Sequence, residues 1–327
     1  MKLAKRLAFL SLIGVAVATL SGAALGQGYP SKPVKLVVAY GAGAGVDVAA
    51  RFVAEAMTEQ MKTSVVVENR EGAGGIIGTV AVAKSTPDGY TLLFASEPVT
   101  TSQLLQETPP YDPIRDFTAI ARVVVNPLIL VASPNAPYKT FKELIAYIKA
   151  NPGKLSYATS GKGSSSHLET ELIKQRYGLD ITDVPYKSFG PALTDTVADR
   201  VGFFLSAYGA LLPQIKSGNV RALAIGSPTR SELLPDVPTF AEELGVPDYR
   251  VDVWYGIMAP AGTPADVVAK LTEQVGKALE NPQLREKIKK SGAEVSMLPP
   301  AQFSALIRSD TDKWTRTVNS IGFKALQ

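Results

Sequence analysis

Short apolar runs alternate with amphipathic stretches along most of this chain, and that order restricts its fold more than any other feature. Residues 34–40, 65–68 and 90–95 read as strands, and residues 48–61 and 76–84 as helices. Strand, helix, strand, helix, strand implies a parallel sheet with right-handed crossovers and helices on its faces. The alternation returns after Asn151-Pro152-Gly153, with strands expected at 155–158, 183–185, 201–205 and 220–225. Helices are expected between them at 164–177, 191–198 and 211–217. Two apolar runs, 119–125 and 128–132, are split only by Asn126-Pro127, and residues 249–258 are again strand-like. Three helical stretches follow, 264–280, 282–290 and 300–321, each with proline at its first turn. The expected architecture is α/β, with two lobes joined by two crossings near residues 125 and 250. Lobe one takes residues 27–125 and 251–327, and lobe two residues 126–250.

The first 26 residues read differently. Lys2, Lys5 and Arg6 precede a short apolar core at 7–20, and Ala24-Leu25-Gly26 offers small residues for cleavage. This is the pattern of a secretory signal peptide, so a secreted, periplasmic protein is expected. The chain has no cysteine, which excludes disulfides, thiol catalysis and thiolate metal sites. It carries 34 basic and 30 acidic residues, and three of the basic ones lie in the leader. The remainder is almost neutral, which gives no footing for a nucleic-acid or membrane-surface partner.

Ligands of open parallel sheets sit beyond the carboxyl ends of the strands. The loops expected there are Gly41-Ala42-Gly43-Ala44-Gly45-Val46, Asn69-Arg70-Glu71-Gly72, Ser96-Glu97, Thr159-Ser160-Gly161-Lys162-Gly163-Ser164-Ser165, Tyr186-Lys187-Ser188-Phe189 and Ser206-Ala207-Tyr208. Three of them are rich in glycine or serine and lead into a helix. Backbone N–H groups at helix N-termini, together with serine hydroxyls, suit a carboxylate. The same residues also have plainer uses. The first loop makes a tight turn, and Ser166 with Glu169 has the spacing of a capping box. Asp47 suits the positive end of its helix. Tyr186, Phe189 and Tyr208 are open to either pocket or core, and Trp254 and Tyr255 belong to core or hinge.

A dinucleotide site would need a third small residue where Val46 stands. His167, the only histidine, is a lone imidazole, and no metal site is assigned to it. A secreted hydrolase using His167 and a nearby serine lacks a Gly-x-Ser-x-Gly elbow. No catalytic residue, metal or cofactor is therefore assigned.

A series of further motifs runs along the chain. It begins with Val67-Glu68-Asn69-Arg70 with Gly72-Ala73-Gly74-Gly75, and Pro87-Asp88-Gly89-Tyr90. It continues through Asn151-Pro152-Gly153-Lys154, Gly161-x-Gly163-Ser164 with His167-Leu168, and Val184-Pro185-Tyr186-Lys187. Leu234-Pro235-Asp236-Val237-Pro238 and Trp254-Tyr255-Gly256 complete it. In this series the chain resembles the Bug-type periplasmic receptors of tripartite tricarboxylate transporters. The resemblance implies a two-lobed periplasmic-binding-protein fold, type II-like, with two parallel or mixed sheets flanked by helices and two hinge crossings. It also implies a monomeric receptor that closes on a small organic acid and presents it to membrane transporter subunits. Carried over residue by residue, ligand contacts fall on Ala42, Gly43, Ala44 and Val46 in one lobe and on Thr159, Ser160, Ser164 and Ser165 in the other. Ser96 and Tyr208 join them from their strand ends, and Asp47, His167 and Lys187 are expected to support the site from behind.

The family commonly has Pro-Ala-Gly-Gly-Gly-Thr-Asp in the first loop, where this chain has Ala44 and Val46 in place of a glycine and the threonine. With Phe189 and Tyr208, these residues suggest a less polar pocket and an apolar or aromatic acid. An orphan sensor binding the same acids fits the sequence equally.

Overall fold

The computed structural model describes residues 29–159, 161, 163–186, 189–247 and 249–320. The leader expected at 1–26, together with Ser160 and Lys187, lies outside the described residues. Lys32 onward forms one compact unit, and everything below concerns it. In chain order its strands are β1 (Val34–Val38), β2 (Val65–Asn69), β3 (Thr91–Ser96), β4 (Phe117–Ala132), β5 (Ser156–Thr159), β6 (Thr182–Pro185), β7 (Phe203–Ala207), β8 (Arg221–Ile225), β9 (Asp252–Pro260) and β10 (Glu294–Leu298). Its helices are α1 (Gly45–Met61), α2 (Ile76–Ala83), α3 (Phe141–Ala150), α4 (Ser165–Tyr177), α5 (Phe189–Val197), α6 (Tyr208–Lys216), α7 (Phe240–Leu244), α8 (Ala265–Leu279), α9 (Pro282–Lys290) and α10 (Pro300–Ser320). Two 3-10 turns, Glu97–Thr100 and Ser102–Leu105, follow β3.

β4 organises the sheets. Residues 117–127 pair antiparallel with β9, and residues 128–132 pair antiparallel with β7 and β8. β9 also pairs antiparallel with β3, which leads on to the parallel pairs β3–β1 and β1–β2. On the other side, β7 leads to the parallel pairs β7–β5 and β5–β6. The strands of the alternating units pair in parallel as expected, and the antiparallel pairs of β4 and β9 make the sheets mixed. Residues 119–125 and 128–132 are one strand, because Pro127 stands where β4 changes partners. Leu128 N–H donates to Val251 O at 2.8 Å just beyond it. A proline costs little at a position where the ladder is changing hands. Every residue of β4 except Thr118 is buried, as expected of a strand covered on both faces.

Separate apolar cores cover the two sets of strands. Val37, Leu93, Trp254, Met258, Phe303 and Ile307 pack together on the first. Phe141, Tyr157, Phe203, Leu205 and Phe240 pack on one face of the second, with Ile129, Phe204 and Leu211 on the other. A smaller cluster of Leu105, Leu168, Trp314 and Val318 joins the second 3-10 turn, α4 and α10.

The sequence reading omits β10 and α7. β10 (Glu-Val-Ser-Met-Leu) is short, and none of its residues is fully buried. α7 has five residues, but its capping box of Thr239 and Glu242 was readable. Among the described residues no helix is long and apolar enough to cross a membrane.

Candidate functional site

The loop between β1 and α1 is shaped from behind. Gly43 has φ +83°, a region that side-chain-bearing residues rarely occupy. Ala44 is extended and precedes the helix without a side-chain cap. The capping work falls to Asp47, whose carboxylate accepts the Gly43 N–H at 2.8 Å, Arg51 Nε at 3.0 Å and Asn69 Nδ2 at 2.8 Å. Asn69 also donates to Tyr40 O at 3.0 Å. Burial alone would raise the Asp47 pKa, but the hydrogen bonds from Arg51, Gly43 and Asn69 outweigh it and hold it below the ordinary aspartate value. Asp47 therefore braces the loop, while Ala42 and Gly43 face solvent and Val46 is buried.

The loop runs beside β3 and β9. A Cβ on Gly45 would lie 3.4 Å from the Tyr255 hydroxyl, so the backbone passes close to that ring. Tyr255 is paired with Ser96 across the β3–β9 ladder and hydrogen-bonds Asn126. The buried Ser96 shares a hydrogen bond with the Tyr40 hydroxyl. Burial, then the neighbouring Glu97 and Tyr255, push the Tyr40 phenol well above its ordinary range, so its proton stays on.

The second loop is held by its own hydroxyls. Ser164 caps α4, accepting the His167 N–H at 3.3 Å and donating to Gly161 O at 2.8 Å. Thr159 is fully buried, donates to Gly161 O at 2.9 Å and lies 3.2 Å from the Ser164 hydroxyl. His167 accepts the Gly163 N–H on Nδ1 at 3.1 Å and stacks on Tyr157. Ser164 thus takes the capping role expected of Ser166. A Cβ on Gly163 would reach 2.2 Å from Leu105 Cδ1, so this loop lies directly on the 3-10 turn that follows β3. The buried Ser165 hydroxyl donates to Glu97 Oε2.

Glu169 does not complete a capping box. Its carboxylate receives the Lys313 ammonium and, at 3.2 Å, the Tyr249 hydroxyl. Nearby, Trp254 Nε1 donates to Asp310 at 2.7 Å. Glu97, Asp252 and Asp310 all have carboxyls pushed up by burial, Glu97 to about 8 and Asp252 to about 6. The members of this buried ionic layer come from four separate segments, around residues 97, 169, 249–254 and 310–313, so no local pattern joins them.

Tyr208 stands apart from these loops. Its buried hydroxyl lies 2.8 Å from Ser231 Oγ, and it lines a cavity of about 390 Å³ with Pro127, Arg285 and Lys289. Phe189 packs on Phe204, with centroids 5.8 Å apart. The structure therefore brings together the first loop, Tyr40, Ser96 and Tyr255, and ties Ser165 to the same strand end through Glu97. Tyr208 is turned instead toward Ser231. Glu97 was missed although it follows Ser96 directly; a carboxylate at a strand's carboxyl end was the available signal.

Two helix N-termini, with hydroxyls and backbone donors around them, thus meet beside one pair of strand ends. The chain belongs to the tripartite tricarboxylate transporter receptor family, whose model matches residues 49–323. It is 37% identical to protein BugT of Bordetella pertussis over 319 residues, covering 96% of this chain and 98% of that one. Among solved structures it is similar to the periplasmic binding protein BugD, at 36% identity and a TM-score of 0.76, covering 90% and 99% of the two chains. It is also similar to R. palustris Rpa4515 with adipate, at 33% identity and a TM-score of 0.79, covering 91% and 100%.

Proposed function

We propose that this chain is a periplasmic receptor that captures a small organic carboxylate between two lobes and presents it to a tripartite membrane transporter. In this reading residues 1–26 are a cleaved signal peptide, residues 27–125 with 251–327 form one lobe, and residues 126–250 form the other. The receptor acts as a monomer, and ligand shifts it toward closure because each lobe supplies part of the contacts.

The observation that carries the reading is the meeting of two helix N-termini at one strand end. α1 starts beside Tyr255, the partner of Ser96, and α4 starts at Ser165, which is bonded to Glu97. The first-turn N–H groups of a helix have no preceding carbonyl within it, so they suit an anion. The Gly43 N–H is already taken by Asp47 and the Ala44 N–H by Gly41 O, which leaves the backbone of Ala42 and Val46 as the donors of this loop. Ser160 and the Ser164 side complete the clamp, Thr159 holding it from behind.

The favoured ligand is an apolar or aromatic acid. Ala44 and Val46 supply methyl groups where the family commonly has hydrogen or a hydroxyl, and support comes from a neighbour, R. palustris Rpa4515, described with adipate, an aliphatic diacid. Calorimetric titration with adipate, benzoate, malate and citrate tests the proposal. Adipate or benzoate is expected to bind more tightly than citrate. Tight citrate binding with no response to the other acids would overturn the ligand class.

A further inference from the structure

We infer that Glu97 and Ser165 form a closing latch between the two proposed lobes, made in the closed receptor and broken when it opens. The inference rests on the receptor reading for its biological meaning. Glu97 begins the turn after β3, and Ser165, 68 residues later, begins α4. Both are buried, at 2% and 5% exposure, so their hydrogen bond is shielded from water. The neighbouring contacts keep it so. Gly163 lies against Leu105, and Leu105, Leu168, Trp314 and Val318 form an apolar seal beside it. Ser165 therefore serves closure, which differs from the ligand contact its position suggested.

The latch holds a proton. Glu97 Oε1 is buried with no hydrogen-bond partner among the described residues, an arrangement unfavourable to a charged carboxylate. The groups facing it are Asp310 and Lys313 on α10, Glu169 on α4 and Tyr40 after β1. Burial is the largest influence. Asp310 and Glu169 add to it, while the Ser165 hydrogen bond and Lys313 oppose it, leaving the carboxyl at about 8. Closed, the receptor keeps Glu97 neutral at pH 7, so the latch adds no charge beside a bound anion. Opening returns Glu97 to water, where its ordinary value of 4.5 means the proton leaves. Closing therefore takes up a proton at pH 7, and rising pH favours the open form.

The absence of cysteine makes the test direct. Spin labels on Ala146→Cys in α3 and Ala269→Cys in α8, both exposed, report the distance between the lobes. In the ligand-free protein the ratio of closed to open molecules is expected to fall about tenfold or more between pH 6 and pH 9. Glu97→Gln, which keeps the shape and cannot ionise, should remove that dependence. Ser165→Ala should lower the closed fraction at pH 6. Titration with adipate in buffers of different ionisation enthalpy should show proton uptake in the wild type and much less in Glu97→Gln. Identical pH responses of the wild type and Glu97→Gln would overturn the latch. If adipate, benzoate, malate and citrate all fail to bind while label distances still follow pH through Glu97, the receptor reading fails and the latch stands.

Discussion

Lys313 on α10 donates its ammonium to the carboxylate of Glu169 on α4, 144 residues earlier. The Glu169 side chain is only 4% exposed and that of Lys313 34%. Burial opposes the Lys313 charge, yet Glu169, Glu97 and Asp310 hold its pKa above the ordinary lysine value. Removing the lysine leaves a buried carboxylate with only the Tyr249 hydroxyl. Lys313→Met is expected to destabilise the fold by about 2–3 kcal/mol, below the full penalty of a dry pair because Lys313 is partly solvated. Urea unfolding checks this, and a change under about 0.5 kcal/mol would show the pair to be dispensable.

Gly209 and Gly292 meet backbone to backbone. A Cβ on Gly209 would lie 1.8 Å from Ser291 O, and one on Gly292 would lie 2.3 Å from Gly209 Cα. Gly209→Ala is expected to cost about 2 kcal/mol or more through overpacking. Gly190, at the start of α5, has nothing within 4 Å of an added Cβ, and Gly190→Ala should be neutral or slightly stabilising. Melting temperatures of the two variants provide the comparison, and equal values would refute the contact argument.

Asp47 connects loop geometry to stability. Its folded pKa is depressed, so the stability it contributes is present above the ordinary value of 3.8 and is lost as pH falls through the lower folded value. Asp47→Ala should cost about 1–3 kcal/mol at neutral pH, since Gly43, Arg51 and Asn69 lose a shared acceptor. Hydrogen exchange at the Gly43 amide should quicken with it. An unchanged exchange rate would mean that the loop holds its shape unaided.

Asp252 behaves in the opposite sense. Burial raises its folded pKa to about 6, against the pull of Arg250 and Arg122, while Asp310 and Glu169 add to the rise. The folded state therefore holds more protons than the unfolded one between about pH 4 and pH 6, and stability falls as pH rises through that window. Asp252→Asn should flatten this part of the pH–stability curve, by roughly 1–3 kcal/mol at pH 7. Chemical denaturation at pH 4, 5, 6 and 7 measures it, and parallel curves for the two proteins would exclude Asp252 as the source.

Ser164→Ala separates capping from ligand contact. Loss of the α4 cap should cost about 1 kcal/mol of stability. A further loss of adipate affinity of about 1–2 kcal/mol is expected only if the hydroxyl also meets the ligand. Thermal melting reads the first effect and calorimetry the second, so an unchanged affinity would confine Ser164 to the cap.

The alternation of apolar and amphipathic segments was enough to place the strand-helix units and to put glycine and serine loops ahead of α1 and α4. These features are local, because periodicity and turn chemistry act over a few residues. The family motifs added the receptor class. What the sequence left open depended on partners far apart along the chain. The antiparallel passage of β4 between two sheets, the Glu97–Ser165 bond and the Lys313–Glu169 pair all join separate segments. A run such as Ala119–Ala132 shows that a strand will be buried, but not beside what. Ser96-Glu97 likewise shows an acid at a strand end, while its burial depends on α4 and α10 folding over it. Tertiary packing alone decided which carboxyls lost their water, and so which of them hold a proton.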